Sequence, residues 1–300
     1  MTPSTTSKRN RNSPKAARAR VRRGRNPRRA TRTGLATWLV LGVIVVIAVA
    51  LIVATVAGRD DGSSASTRSL APASLVRQVT SVPDGVANQV GSGSASLPVA
   101  LHAPAVTSDG KPVVTYLGAE YCPFCAGERW AMVLALSRFG TFTDLGTTHS
   151  ASEDVHPDTP TFTFHGSTYS SPYVEFQPVE MQTNQLAGST YATLDTPTAA
   201  QQKLIDTYDA QPYFPSNGAI PFVDFAGKYG LSGASYDVSV LDGKSYTEIA
   251  DALHDPTSPI AKGIVGTANA MTAAICAATG DQPASACSIP AVQALRAKLP

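Results

Sequence analysis

The spacing of hydrophobic residues changes several times along this chain, and each change marks a different element. Residues 35–57 carry no charge, and 39–56 are almost entirely Val, Ile, Leu and Ala. A helix of that length rises roughly 30 Å, enough to cross a bilayer, so the pattern predicts a transmembrane helix at 35–57. Residues 1–34 show no apolar period and read as a disordered tail. Residues 58–72 (GRDDGSSASTRSLAP) read as a Ser/Ala/Gly spacer.

A compact domain is expected over 73–300. After the lead-in SLVRQVTSV and the Gly/Ser patch GSGSASL, PVVTYL is a run of β-branched and aromatic residues that reads as a buried strand. The pattern then becomes helical. Cys122 stands at the cap, Pro123 at the first helical position and Gly140 at the stop. Ala131, Val133, Leu134, Ala135 and Leu136 give that helix an apolar surface to lay on a sheet. TFTFHGSTY and PYVEFQPVEMQT read as strands, TPTAAQQKLIDTYDA as a helix capped by Thr196, and a further strand begins near Ile220-Pro221. SYTEIADALHD is a short helix, and 258–300 is an Ala-rich helical tail broken around 280–290. This order predicts an α/β fold with a mixed sheet flanked by helices, an insertion at about 141–215 and a helical C-terminal extension at about 258–300.

Charge sharpens the outline. Twelve Lys and Arg fall within residues 1–34 and no acid precedes Asp60, whereas from Arg59 onward there are twelve basic and twenty-two acidic residues. The net charge of +2 therefore joins a basic tail to an acidic body. A basic tail alone would suit nucleic acid, but beside a membrane-length apolar run the positive-inside rule applies. It puts the N-terminus in the cytoplasm and the domain outside, as an integral anchor in the cell membrane with no nucleic-acid partner. A cleaved signal peptide is the competing reading; the long tail, the long apolar run and mediocre small-residue sites near Ala54 and Ala57 weigh against it. An exterior domain meets an oxidising environment, where disulfides persist.

The chemistry rests on four cysteines. Cys122 and Cys125 form a Cys-x-x-Cys at a strand-to-helix junction, where unpaired N–H groups and the positive helix end stabilise a thiolate. Cys122 is expected as the attacking thiolate and Cys125 as the resolving thiol. A zinc site and a structural staple are the alternatives; zinc usually takes four ligands, and Cys276 and Cys287 lie far away in sequence. Cys276–Cys287 reads as a structural disulfide closing a loop of about a dozen residues, with a second redox pair as the alternative. Glu120 and Glu128 flank the dithiol and are candidate proton relays; as ordinary acids they would be solvated or paired with Arg129 or Arg138. Tyr121 and Phe124 are candidate substrate-facing side chains, and Trp130 suits the core. His149, His156 and His165, with Glu153, Asp154 and Asp158, are too loosely spaced to assign a metal site. No phosphate loop, H-E-x-x-H or G-x-S-x-G occurs.

These residues resemble the thioredoxin superfamily over about 111–255. Cys122, Pro123, Phe124 and Cys125 match its redox motif after the first central strand. Ile220 and Pro221 match its cis-proline element, which implies that Ile220 pairs its backbone with a bound substrate and that Pro221 faces the dithiol. More narrowly, GKPVVTYLGAEYCPFCAGERWAMVLALSRFG, the TFTF and PYVEF stretches and the two C-terminal cysteines look like a membrane-anchored thioredoxin-like family of unknown function in archaea and actinobacteria. The Pro-Phe dipeptide departs from the Gly-Pro of reducing thioredoxins and the Pro-His of strongly oxidising relatives, so the direction of electron flow stays open.

The expected function is an extracytoplasmic thiol–disulfide oxidoreductase acting on secreted or membrane proteins, with a membrane redox partner as one option and no cofactor. The alternative is a non-catalytic thioredoxin-fold module that binds or assembles a membrane partner.

Overall fold

The computed structural model describes residues 67–300. Its organising element is the strand Lys111–Gly118, whose last six residues are buried. On one side it pairs in parallel with Glu175–Glu180, Val113 opposite Glu175 and Gly118 opposite Glu180. On the other it pairs antiparallel with Phe222–Phe225, which in turn carries Tyr229–Ser232 and then Val99–Ala100. The result is a mixed sheet. Side chains alternate across it as a β-strand requires: Val114 and Tyr116 enter the larger core, and Leu117 enters a smaller one with Leu101, Val179, Ile205, Phe214 and Phe222.

The larger core is built against helix Pro123–Ser137. Every residue from 125 to 136 in that helix is buried, because it packs against a second buried helix, Pro259–Thr279, and against the strand Pro160–Thr163. Trp130 belongs to this layer, edge-on to Phe162 at 4.8 Å and donating its indole N–H to the Pro160 carbonyl at 2.8 Å. Phe164 stands edge-on to Tyr116 and Phe176, which completes a buried aromatic cluster. A fully buried side chain of this size contributes about 1.5–3 kcal/mol.

Several boundaries differ from the sequence expectation for local reasons. The lead-in folds as two short helices, Ala73–Thr80 and Asp84–Val90. The helix expected from Thr196 starts instead at Ala199–Tyr208, because Thr198 forms a reciprocal capping box with Gln201. Residues 141–215, expected as an insertion, supply the sheet's parallel strand Glu175–Glu180 as well as the hairpin Gln182–Ala187/Thr190–Thr193. The C-terminal extension is Pro259–Thr279, Ala284–Cys287 and Pro290–Arg296, with Gly280 closing the first helix in the left-handed region at φ 66°.

Two expectations are corrected. The fold class carried a transmembrane helix ahead of the domain, and the localisation followed from it. Among the described residues, the one helix long and apolar enough to cross a membrane is Pro259–Thr279, within the domain, and 94% of its apolar window is buried by the protein itself. A helix apolar on all sides is accounted for here by neighbours on all sides. The basic tail, the span expected at 35–57 and most of the spacer lie outside the described residues. The fold is therefore an α/β domain with a mixed sheet, flanking helices and a C-terminal helical extension. A single-pass cell-membrane placement with the anchor ahead of the domain is contradicted by that helix position.

Candidate active site: a dithiol at a helix start

The site begins where the central strand ends. Gly118 is followed by Ala119, Glu120 and Tyr121, and Cys122 then caps the helix in an extended conformation with Pro123 at its first position. Any side chain at Gly118 would collide with the Tyr116 hydroxyl, so glycine keeps this strand end close to its neighbours. Cys122 and Cys125 are both free thiols, and both are buried. The Cys125 backbone N–H donates to Cys122 Sγ at 3.2 Å, one of the open donors at the helix start. From the other side the Ile220 carbonyl lies 3.6 Å from the same sulfur, positioned to accept from the thiol form. The Ile220-Pro221 peptide bond is cis.

These contacts make the two sulfurs unequal. A hydrogen bond from the Cys125 side chain, followed by the backbone N–H groups and the Arg129 charge, holds the Cys122 thiol below its ordinary range against the opposing effect of burial. Burial pushes the Cys125 thiol well up, and its bond to Cys122 pushes the same way. The arrangement thus supplies one sulfur disposed to ionise and one that keeps its proton until its partner no longer needs it.

Arg129 lies four residues after Cys125, one turn along the helix, and is fully buried. It forms a two-pronged ion pair with Glu180, Nε to Oε1 at 2.8 Å and Nη2 to Oε2 at 2.7 Å, and Nη2 also donates to the Ala119 carbonyl. Parallel register explains the meeting, since Glu180 stands beside Gly118 at the strand end. Burial works against the Arg129 charge, but Glu180, Tyr116 and Cys125 outweigh it and hold the guanidinium protonated well above its ordinary value. A fixed positive charge therefore sits behind both sulfurs.

Glu120 is buried, and its backbone N–H donates to the Gln182 carbonyl at 2.9 Å. Glu128 is also buried and accepts from the Ser235 N–H at 3.0 Å and the Ser235 hydroxyl at 2.6 Å. Burial pushes its carboxyl up to about 7, and the two Ser235 bonds only partly oppose that. Tyr121 stacks on Tyr191 at 4.2 Å, and Phe124 stands edge-on to His156 at 6.0 Å. Cys276 and Cys287 are bridged, with Cα atoms 5.7 Å apart, away from the free pair in the helical extension.

The structure thus brings Cys125 and Ile220 against the Cys122 sulfur, lays Tyr121 on Tyr191 and Phe124 against His156, and turns Glu128 toward Ser235. The three histidines do not converge: His156 pairs with Asp242, His165 with Asp195, and His149 leans on Tyr246. Among the described residues no group of three His, Cys, Asp or Glu side chains converges as a metal site would. Sequence reasoning named Arg129 only as a partner for nearby acids. Its place four residues after Cys125, directly before the apolar run at 130–136, was the signal of a buried charge. Glu180 and Tyr191 gave no local signal, because long-range strand pairing brings them to the site.

Searches of curated proteins and of solved structures gave no match. A family model described as "Domain of unknown function (DUF929)" matches residues 98–277, more than half of the chain. That span contains the central strand, the dithiol, Arg129, Glu180 and Ile220-Pro221. The chain belongs to the family of this domain of unknown function, DUF929.

Proposed function

We propose that this protein is a thiol–disulfide oxidoreductase whose reacting pair is Cys122 and Cys125. The observation that carries the reading is the inequality of the two sulfurs at a helix start, one favoured as thiolate and the other held protonated. The strand–CxxC–helix order with Ile220-Pro221 opposite Cys122 also supports a relationship to the thioredoxin superfamily.

In the reducing direction the Cys122 thiolate attacks one sulfur of a partner disulfide. That S–S bond breaks as a mixed disulfide forms, and the displaced thiolate takes a proton from water. Cys125 then loses its proton and attacks Cys122 Sγ, releasing the second partner thiol. Two electrons have passed to the partner, and Cys122–Cys125 is left oxidised. Oxidation of a partner dithiol runs the same steps backwards, and relative potentials decide between the two. The partners proposed are proteins with accessible thiols or disulfides, and Ile220 is proposed to meet them through its backbone.

The test is single-turnover exchange between the reduced full chain and hydroxyethyl disulfide, then oxidised glutathione. Wild type is expected to lose its two free thiols as the substrate gains two, while Cys122→Ser does neither. Equal behaviour of the two proteins would overturn the reading in favour of a binding module that does no exchange.

A further inference from the structure

Single exposed apolar side chains are ordinary, whereas several grouped about one site mark an interaction surface. Among the described residues four do so: Leu70, Phe124, Val155 and Leu186. Three of them connect to the Cys122 segment through neighbouring residues. Phe124 is inside the CxxC. Val155 is next to His156, whose ring meets Phe124. Leu186 stands directly opposite Tyr191 across the Gln182–Ala187/Thr190–Thr193 hairpin, and directly opposed residues share a face. Tyr191 in turn stacks on Tyr121, the residue before Cys122. Asn184 ties the hairpin to the end of the strand Gly146–His149, which leads into the Val155 segment, by donating to the His149 carbonyl at 2.8 Å.

Carboxylates predominate on this rim, with His156 paired to one of them. Asp154 acts on both Tyr121 and Tyr191, and Glu153 on Tyr191. Asp242 lies 2.9 Å from His156 Nδ1, and Asp237 is close enough to feel the same ring. The guanidinium behind the sulfurs is already matched by Glu180. An apolar ring inside an acidic border complements a ligand that is apolar at its centre and basic at its edges.

We propose that the rim around Cys122 receives cysteine-bearing protein segments whose cysteine is flanked by apolar residues with Lys or Arg farther out. The proposal rests on the dithiol reading above and adds the substrate class. The exchange is the one already written; Phe124, Val155 and Leu186 cover the apolar flanks, and Glu153, Asp154, Asp237 and Asp242 meet the basic ones.

The test uses the reduced full chain with Cys125→Ser, which stops at the mixed disulfide. It is offered two disulfide-linked peptides of equal apolar content, one with Lys/Arg flanks and one with Glu flanks, and hydroxyethyl disulfide as a neutral small substrate. Each rate is normalised to that substrate's rate with a free small thiol, which removes intrinsic differences in leaving group. The basic peptide is expected to react about tenfold faster than the acidic one at low ionic strength, with the gap closing as salt rises. Glu153→Gln with Asp154→Asn should shrink that ratio, and Leu186→Ser should slow both peptides while sparing hydroxyethyl disulfide. Equal normalised rates for the two peptides, with hydroxyethyl disulfide still reacting, would overturn the substrate class and leave the dithiol reading intact. Failure of all three substrates would overturn both.

Discussion

The two cysteine pairs of this chain make opposite uses of the same side chain. Cys276 and Cys287 are joined across a separation of 11 residues, linking the end of the long buried helix to the short helix after it. Cys122 and Cys125 are three residues apart, both buried, and free. Burial alone therefore does not decide what a cysteine does here. The free pair has what the bridged pair lacks in its role: a helix N-terminus that donates to one sulfur, a carbonyl facing it from Ile220, and a buried cation one turn away. The bridge constrains the chain, whereas the dithiol is arranged to give up a proton and an electron pair in turn.

The sharpest break in that comparison comes from Arg129. Arg129→Met leaves Glu180 buried without its partner and is expected to destabilise the fold by roughly 3–5 kcal/mol, as removal of one half of a buried ion pair does. It should also raise the pH at which Cys122 alkylates, because a positive charge behind the thiolate is gone. Arg129→Lys should recover much of the alkylation profile. A profile unmoved by Arg129→Met would leave the helix start and Cys125 as the whole source of the inequality. Denaturant unfolding and pH-resolved alkylation read the two effects separately.

Opening the other pair should cost stability and leave chemistry alone. Cys276→Ser with Cys287→Ser removes a loop closure worth about 3 kcal/mol, seen as a lower unfolding midpoint. Exchange by Cys122 is expected to stay within about twofold of wild type at temperatures where both remain folded, as for distant sites that do not couple. Loss of exchange in the folded double variant would make the second pair part of the redox path.

A smaller effect separates the acid on the dithiol helix from the dithiol itself. Glu128 has a carboxyl pushed up to about 7 by burial, against 4.5 when unperturbed, so the folded state holds its proton more tightly. That contribution is complete below about pH 4.5 and is lost as pH rises toward 7, an effect of roughly 3 kcal/mol. Glutamine can keep both Ser235 contacts without a charge. Glu128→Gln is therefore expected to lessen the fall in stability across this window, while Asp224, also pushed up to about 7 by burial, and Glu180 and Asp209, raised by burial, keep part of the slope. Superimposed stability curves for variant and wild type would contradict the burial account. If exchange also slows in Glu128→Gln at constant fold, Glu128 relays protons as well.

What could be read from sequence was mostly local. A run of β-branched residues ending in Cys-Pro-Phe-Cys gave the strand, the cap and the helix, because propensity, proline geometry and apolar period agree over that stretch. The helix ahead of Ile220 was legible but its start was misplaced by two residues, since Thr198 competes with Thr196 for the cap and only Thr198 has Gln201 three residues on. The role of 141–215 was not legible. Whether Glu175–Glu180 is an insertion strand or the parallel neighbour of Lys111–Gly118 depends on pairing across some sixty residues, which no local pattern encodes. The same non-locality hid Glu180, Tyr191 and Ser235 from the site. The apolar helix Pro259–Thr279 has the length and composition of a membrane span, and its neighbours alone identify it as core.

The contrast between the pairs is tested most directly by equilibrating the full chain in glutathione buffers of graded potential, quenching with acid and alkylating, and mapping the cysteine peptides by mass. The account expects the Cys122–Cys125 peptide to lose and regain two hydrogens reversibly across the series while Cys276–Cys287 stays bridged throughout. A Cys122–Cys125 pair that never closes, or a Cys276–Cys287 bridge that opens over the same range, would contradict it.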